Sequence, residues 1–269
     1  MIKNIINTKN QFRTFLIIFL LATFIIGSVG CSSKPEKTSD EAKEPENQTM
    51  TIFVAAGMKK PMDTLIEKFK EEKGIEVIPN YASSGQLWAQ IREGQPCDLY
   101  YSADWIYIEK AQSEDKLTEA KEFLRDNVVL VTSPSGSKKV KSIQDLTKPD
   151  VTFVIGDAQA PVGIYAENGL KNLGIWDQVS GSLKARPSTV NQVAIMVKED
   201  QVDAGLIYSS VANGNDLPIV EVIDEKDSGE IIFGVGAVKG GNQKLAKEFM
   251  DFAFENVDVF TKYGWKSYE

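Results

Sequence analysis

The chain has 269 residues, 38 acidic against 30 basic, a formal net charge of −8 and no histidine. Serine–histidine and cysteine–histidine catalysis are therefore excluded, as are the commonest zinc sites. So acidic a surface argues against nucleic acid as a partner. It does not argue against a small anion, because neutral N–H donors act locally while distant surface charge is screened within about 10 Å.

The N-terminus reads as an export signal. Lys3, Lys9 and Arg13 precede an acid-free apolar run, Phe15 to Ile26, and Gly27-Ser28-Val29-Gly30-Cys31 follows. That is the charged head, apolar middle and small-residue exit of a secretory signal over residues 1–30; about a dozen apolar residues are too few to span a membrane comfortably. The cysteine after Gly30 resembles a bacterial lipobox, which implies acylation of Cys31, although Ser28 stands where an aliphatic residue is usual. Without residues 1–30 the chain keeps 27 basic and 38 acidic residues, a net charge of −11. Residues 31–49 hold no large apolar side chain after Cys31 and read as a flexible tether. With Cys31 acylated, Cys97 stands alone and no internal disulfide forms; between Pro96 and the apolar Leu99-Tyr100-Tyr101 it reads as a buried filler.

From Met50 on there is room for one large domain or two small lobes. Ile52-Phe53-Val54 is a strand that enters the turn Ala55-Ala56-Gly57 and then a helix with Met62, Leu65, Ile66 and Phe69 at helical spacing, ending at Gly74. Val77-Ile78 leads through Tyr81-Ala82-Ser83-Ser84-Gly85 into a second helix, and Leu99-Tyr100-Tyr101 is a short buried strand before a helix from Trp105. Val128 to Thr132 is a strand. Phe153-Val154-Ile155 leads through Gly156-Asp157 and Ala160-Pro161-Val162-Gly163 into a third such helix. Val190 to Glu199 is a helix, 204–208, 219–223 and 231–235 are strands, and Asn242 to Phe254 is the main C-terminal helix. Alternation of this kind gives an α/β layout with mostly parallel sheets covered by helices. Three strand–turn–helix junctions built from small residues are three candidate anion seats. A helix start leaves backbone N–H groups unpaired and carries about half a positive charge.

Several segments resemble the extracytoplasmic molybdate-binding proteins of ABC importers. They are Phe53 to Gly57, Tyr81 to Gly85 with Leu87 and Gln90-Ile91, Gly94 to Leu99 with Ser102-Ala103-Asp104, Gly156-Asp157 with Pro161 to Ala166, Leu173 to Asp177, and Gly205 to Tyr208. The resemblance implies a two-lobed type II periplasmic-binding-protein fold with the ligand cleft between the lobes. The first lobe would comprise 50–130 and 233–269, the second 131–232. It implies a lipid-anchored, extracytoplasmic, monomeric receptor at the cell membrane, without enzymatic activity or cofactor, that delivers molybdate or tungstate to a permease and ATPase. Ligand contacts carried over by position fall on Gly57, Ser84, Val162, Val190 and Tyr208, with molybdenum held only as the oxyanion. The family's first-turn serine aligns with Gly57, so that hydroxyl is absent here and Lys59 or Lys60 is left to compensate.

The residues themselves agree with such a ligand. Molybdate, tungstate and sulfate are fully deprotonated at neutral pH and need donors only, whereas protonated phosphate also needs an acceptor. Asp157, the one carboxylate beside the proposed turns, reads as a turn former. A receptor for sulfate, phosphate or an organic anion, an iron(III) receptor using Tyr100 and Tyr101, and a ligand sensor of the same fold remain as alternatives. Arg186 is the only arginine placed to bind a carboxylate, and the two tyrosines alternate across a strand.

Overall fold

The computed structural model describes residues 48–268. In chain order the strands are β1 (Thr49–Ala55), β2 (Glu76–Ala82), β3 (Leu99–Ser102), β4 (Leu117–Asp126), β5 (Val128–Thr132), β6 (Phe153–Val154), β7 (Leu183–Ala185), β8 (Ala204–Tyr208), β9 (Ile219–Val222), β10 (Ile231–Val238) and β11 (Lys266–Ser267). The helices are α1 (Lys59–Lys73), α2 (Ser84–Arg92), α3 (Trp105–Ser113), α4 (Pro161–Asn172), α5 (Trp176–Val179), α6 (Val190–Lys198), α7 (Ser209–Gly214), α8 (Glu225–Ser228), α9 (Gln243–Glu255) and α10 (Asp258–Thr261).

Two sheets form two lobes. One runs β11-β4-β10-β3-β1-β2 and the other β7-β6-β8-β5-β9. Each is mixed rather than mostly parallel, which corrects the expectation from alternation. β1 is parallel to β2 and β3, and β6 to β7 and β8. The strands that carry the chain from one sheet into the other, β5 and β10, run against both of their neighbours. Such a strand arrives from the far end of the sheet and needs no crossover helix. The chain crosses at Asn127 and again between Val222 and Ile231. Val128 to Leu130 thus pair in the second sheet, and Ile231 and Ile232 in the first, a few residues from the expected limits. β1 already begins at Thr49, the last residue of the expected tether. The export signal, Cys31 and the rest of that tether up to residue 47 lie outside the described residues.

Local sequence sets the helix ends that matter for the cleft. α1 buries Pro61, Met62, Leu65 and Phe69 and stops where Gly74 adopts φ 69°, a left-handed conformation that glycine takes without strain. Ser83 and Thr189 stand at the N-caps of α2 and α6, each with a glutamine three residues on that reaches back to it. Pro161 opens α4, where a missing N–H costs nothing. Phe69 meets Phe249 and Phe252 edge-on at 4.9 and 5.1 Å, clamping α1 and α9 together. Burying each such ring contributes about 1.5–3 kcal/mol.

Candidate functional site

The turn after β1, the starts of α2, α4 and α6, and the end of β8 converge between the lobes. They enclose a small cavity of about 20 Å³. The first lobe supplies Ala55, Ala56, Gly57, Ser83, Ser84 and Ala103; the second supplies Ala160, Pro161, Val162, Thr189, Val190 and Tyr208. All five positions expected from the sequence, Gly57, Ser84, Val162, Val190 and Tyr208, line this one cavity.

The lining carries no charged side chain. Its polar groups are hydroxyls and the N–H groups of helix first turns, which have no intrahelical acceptor. Ser84 is 1% exposed, and its hydroxyl oxygen accepts the Ala103 N–H at 2.9 Å. One lone pair is thereby engaged while its own proton stays available to a ligand. Tyr208 is fully buried, its ring edge-on to Phe233 at 5.3 Å, and its hydroxyl donates only a long 3.5 Å bond to the Ala103 carbonyl. Burial, then the nearby Tyr165 hydroxyl and Asp104 carboxylate, hold that phenol far above its ordinary pKa, so it stays a donor at every physiological pH. Ser83 donates instead to the Gln86 side chain at 3.0 Å and serves its own helix.

Gly57 sits so close to the other lobe that a serine there would press on its neighbours. A Cβ there would stand 3.2 Å from Val190 Cγ1 and 3.4 Å from Val211 Cγ2, so two valines occupy the space of the absent side chain. Neither Lys59 nor Lys60 replaces the missing hydroxyl. Lys59 pairs with Asp63 at 2.7 Å, Lys60 donates to the Gly214 carbonyl, and both line a separate chamber on the far side of Gly57.

The competing chemistries lose their residues. Arg186 is engaged by Glu167 and lies over the Trp176 ring at 5.4 Å, away from the cavity. Tyr100 and Tyr101 are both fully buried and belong to opposite hydrophobic clusters, and Tyr100 donates to the Ser84 carbonyl at 2.8 Å. Among the described residues no group of three or more histidine, cysteine, aspartate or glutamate side chains is placed to hold a metal ion. Asp157 accepts the Gln159 N–H at 2.8 Å, a turn-forming bond, and does not line the cavity. Cys97 is buried, and desolvation together with the Asp98 charge pushes its thiol up to about 12, so the thiolate nucleophile is not formed near neutral pH.

Sequence reasoning missed the contacts that close the cleft. Asn191 donates across it to the Ala56 carbonyl at 2.6 Å, and the Tyr107 hydroxyl to the Gln159 carbonyl at 2.7 Å. Tyr165 of α4 lies near the buried Asp104 carboxylate of the first lobe, whose pKa is raised chiefly by desolvation. The only sequence signal was polar residue types beside helix starts, which is also what an ordinary cap looks like.

Residues 50–266 match the profile of the bacterial extracellular solute-binding proteins. The molybdate-binding protein ModA of Escherichia coli (strain K12) is 29% identical over 228 residues, 80% of this chain and 88% of its own length. A candidate ABC transporter substrate-binding lipoprotein of Bacillus subtilis (strain 168), YvgL, is 28% identical over 95% of this chain and 99% of its own. The solved substrate binding domain of a candidate molybdenum ABC transporter from Clostridium difficile superposes with a TM-score of 0.64 at 30% identity, covering 82% of this chain and 99% of that domain. The two sheets, the paired crossings and the cleft between them are the two-lobed type II fold of periplasmic binding proteins. The family's proteins bind solutes rather than transform them, and this chain belongs to it: the bacterial extracellular solute-binding proteins.

Proposed function

We propose that the protein captures a fully deprotonated tetrahedral oxyanion, molybdate or tungstate, and hands it to the permease and ATPase of an ABC importer. The observation that carries the reading is the lining of the interlobe cavity: N–H and hydroxyl donors from both lobes, with no carboxylate to accept from a protonated oxygen. Gly57, Val162 and Val190 would donate through the backbone, Ser84 and Tyr208 through their hydroxyls. The relatives named for molybdate and for a molybdenum transporter support the same ligand. No resident cofactor is required. The signal-like residues 1–30 and Cys31, together with the relative named as a lipoprotein, support an exported protein held at the membrane by a lipid. Among the described residues no helix is long and apolar enough to cross a membrane.

Sulfate, the smaller oxyanion, is the second reading, favoured by the small volume of the cavity, about 20 Å³. Calorimetric titration of the soluble domain with molybdate, tungstate, sulfate and phosphate decides between them. Tight binding of the first two and weak binding of the others is expected. Phosphate bound as tightly as molybdate overturns the donor-only site, and sulfate bound best replaces the ligand. A thermal-shift panel reports the same order, because ligand at a hundred times its Kd stabilises the folded state by about 2.7 kcal/mol.

A further inference from the structure

We propose that Asn191 is a positioning residue for anion capture, acting through the aim of the Gly57 N–H; the inference rests on the oxyanion reading above. Asn191 is the second residue of α6, directly after Val190. Its side-chain amide donates to the Ala56 carbonyl at 2.6 Å, across the cleft and 135 residues away in sequence. That carbonyl belongs to the Ala56–Gly57 peptide. A trans peptide is planar and its C=O and N–H point in opposite directions. Holding that carbonyl on Asn191 therefore constrains the direction of the Gly57 N–H, the one donor residue 57 can offer the seat. Gly57 lies inside the 3₁₀ turn Ala56–Met58, where no residue of the turn lies far enough back to accept its N–H.

Two further features sharpen the role. With no side chain at 57, the backbone N–H is all that this residue can give an anion, so its aim matters more than it would beside a serine. A carbonyl that accepts a hydrogen bond also polarises its own peptide and strengthens the N–H on the other side. The Ala56 carbonyl accepts twice, from Asn191 and from the Lys59 N–H. The Asn191 bond also spans the lobes, so it forms only when the cleft closes. The donor is thus oriented when the ligand is enclosed.

The test uses glycine-¹⁵N-labelled protein, with the Gly57 amide assigned by comparison with Gly57→Ala, titrated with molybdate. Asn191→Leu removes the donors at similar size. Asn191→Asp also removes them, while an acidic residue in a first helical turn favours the helix, so one variant keeps α6 intact. In the native protein the Gly57 amide proton should move downfield on binding. In both variants that movement should shrink and the Kd should rise about tenfold or more, while the melting temperature without ligand stays within a few degrees. Native protein that binds molybdate while Asn191→Leu binds equally well, or shows the same Gly57 response, overturns this inference alone. Native protein that binds none of the four oxyanions overturns the functional reading and this inference with it.

Discussion

Ser84→Ala separates what a buried hydroxyl does for the fold from what it does for the ligand. In the folded chain the Ser84 oxygen accepts the Ala103 N–H at 2.9 Å, and both residues lie in the first lobe. The bond therefore persists whether the cleft is open or closed. Removing the hydroxyl leaves a buried N–H without an acceptor, which costs about 1–3 kcal/mol of stability. The ligand loses a different interaction, the hydroxyl proton donated to a charged oxygen, which contributes about 1.5–3 kcal/mol. Molybdate affinity should thus fall by roughly ten- to a hundredfold. Urea titration of ligand-free protein reads the first quantity and calorimetry reads the second. Ser83→Ala is the control. Its hydroxyl is spent on Gln86, so its loss should cost about 1 kcal/mol of stability and leave affinity nearly unchanged. A folded Ser84→Ala protein with native affinity would remove Ser84 from the site and refute the assignment of its free proton to the ligand.

Tyr208→Phe should weaken molybdate binding about tenfold with little change in stability, because the ring keeps its contact with Phe233 and loses only a 3.5 Å bond; unchanged affinity by calorimetry would count against it. Gly57→Ser restores a hydroxyl but drives its Cβ to within 3.2 Å of Val190, so a double-mutant cycle with Val190→Ala should show favourable coupling in molybdate affinity, and zero coupling would refute the steric account. Asp126 sits where the chain crosses between sheets and is almost wholly buried. Despite the Ser209, Ser210 and Asn127 donors, desolvation raises its carboxyl to about 6. Because the folded pKa lies above the ordinary value, the stability it contributes is complete below about pH 4 and is lost as pH rises through 6, on the order of 3 kcal/mol. The stability gap between native protein and Asp126→Asn should shift by that amount between pH 4 and pH 7, and a constant gap would overturn the assignment. Cys31→Ala should release the protein from the membrane fraction or leave its signal uncleaved; a processed variant that stays in the membrane fraction would exclude the lipid anchor.

What the sequence announced, and what it hid, follow one physical divide. Helix starts were legible because their signals are local: Ser83 with Gln86, Thr189 with Gln192, and Pro161 lie within a few residues of the turns they open. The small residues of those turns pointed to a site, and the structure places them around one cavity. β4 was not legible. Its sequence Leu117-Thr-Glu-Ala-Lys-Glu-Phe-Leu-Arg-Asp126 buries little before Phe123, and only pairing with β10 about a hundred residues later makes it a strand. The direction of β5 and β10 was hidden for the same reason, since a strand's period is the same whether its neighbour runs with it or against it.

The bonds across the cleft were least legible, and they decide how the site works. Asn191 reads in sequence as a polar residue in a helix first turn, Tyr107 and Tyr165 as helix aromatics. Only the closed arrangement shows that Asn191 and Tyr107 have their partners on the other lobe and that Tyr165 lies near Asp104. A seat made of neutral donors gains from closure twice. Enclosure lowers the local dielectric, which strengthens each donor's attraction for a charged oxygen. Closure also brings the donors of the second lobe into reach. Bonds such as Asn191 to Ala56 and Tyr107 to Gln159 favour that state before any anion arrives, and an anion needs to supply only the remainder of the closing free energy. The balance cannot tip far, because a receptor closed without ligand admits none. Removing one latch should therefore lower affinity by favouring the open form, and overstrengthening them should slow association instead. This places the control of capture in a few cross-lobe hydrogen bonds beside the seat, on residues that differ in kind from those that touch the anion.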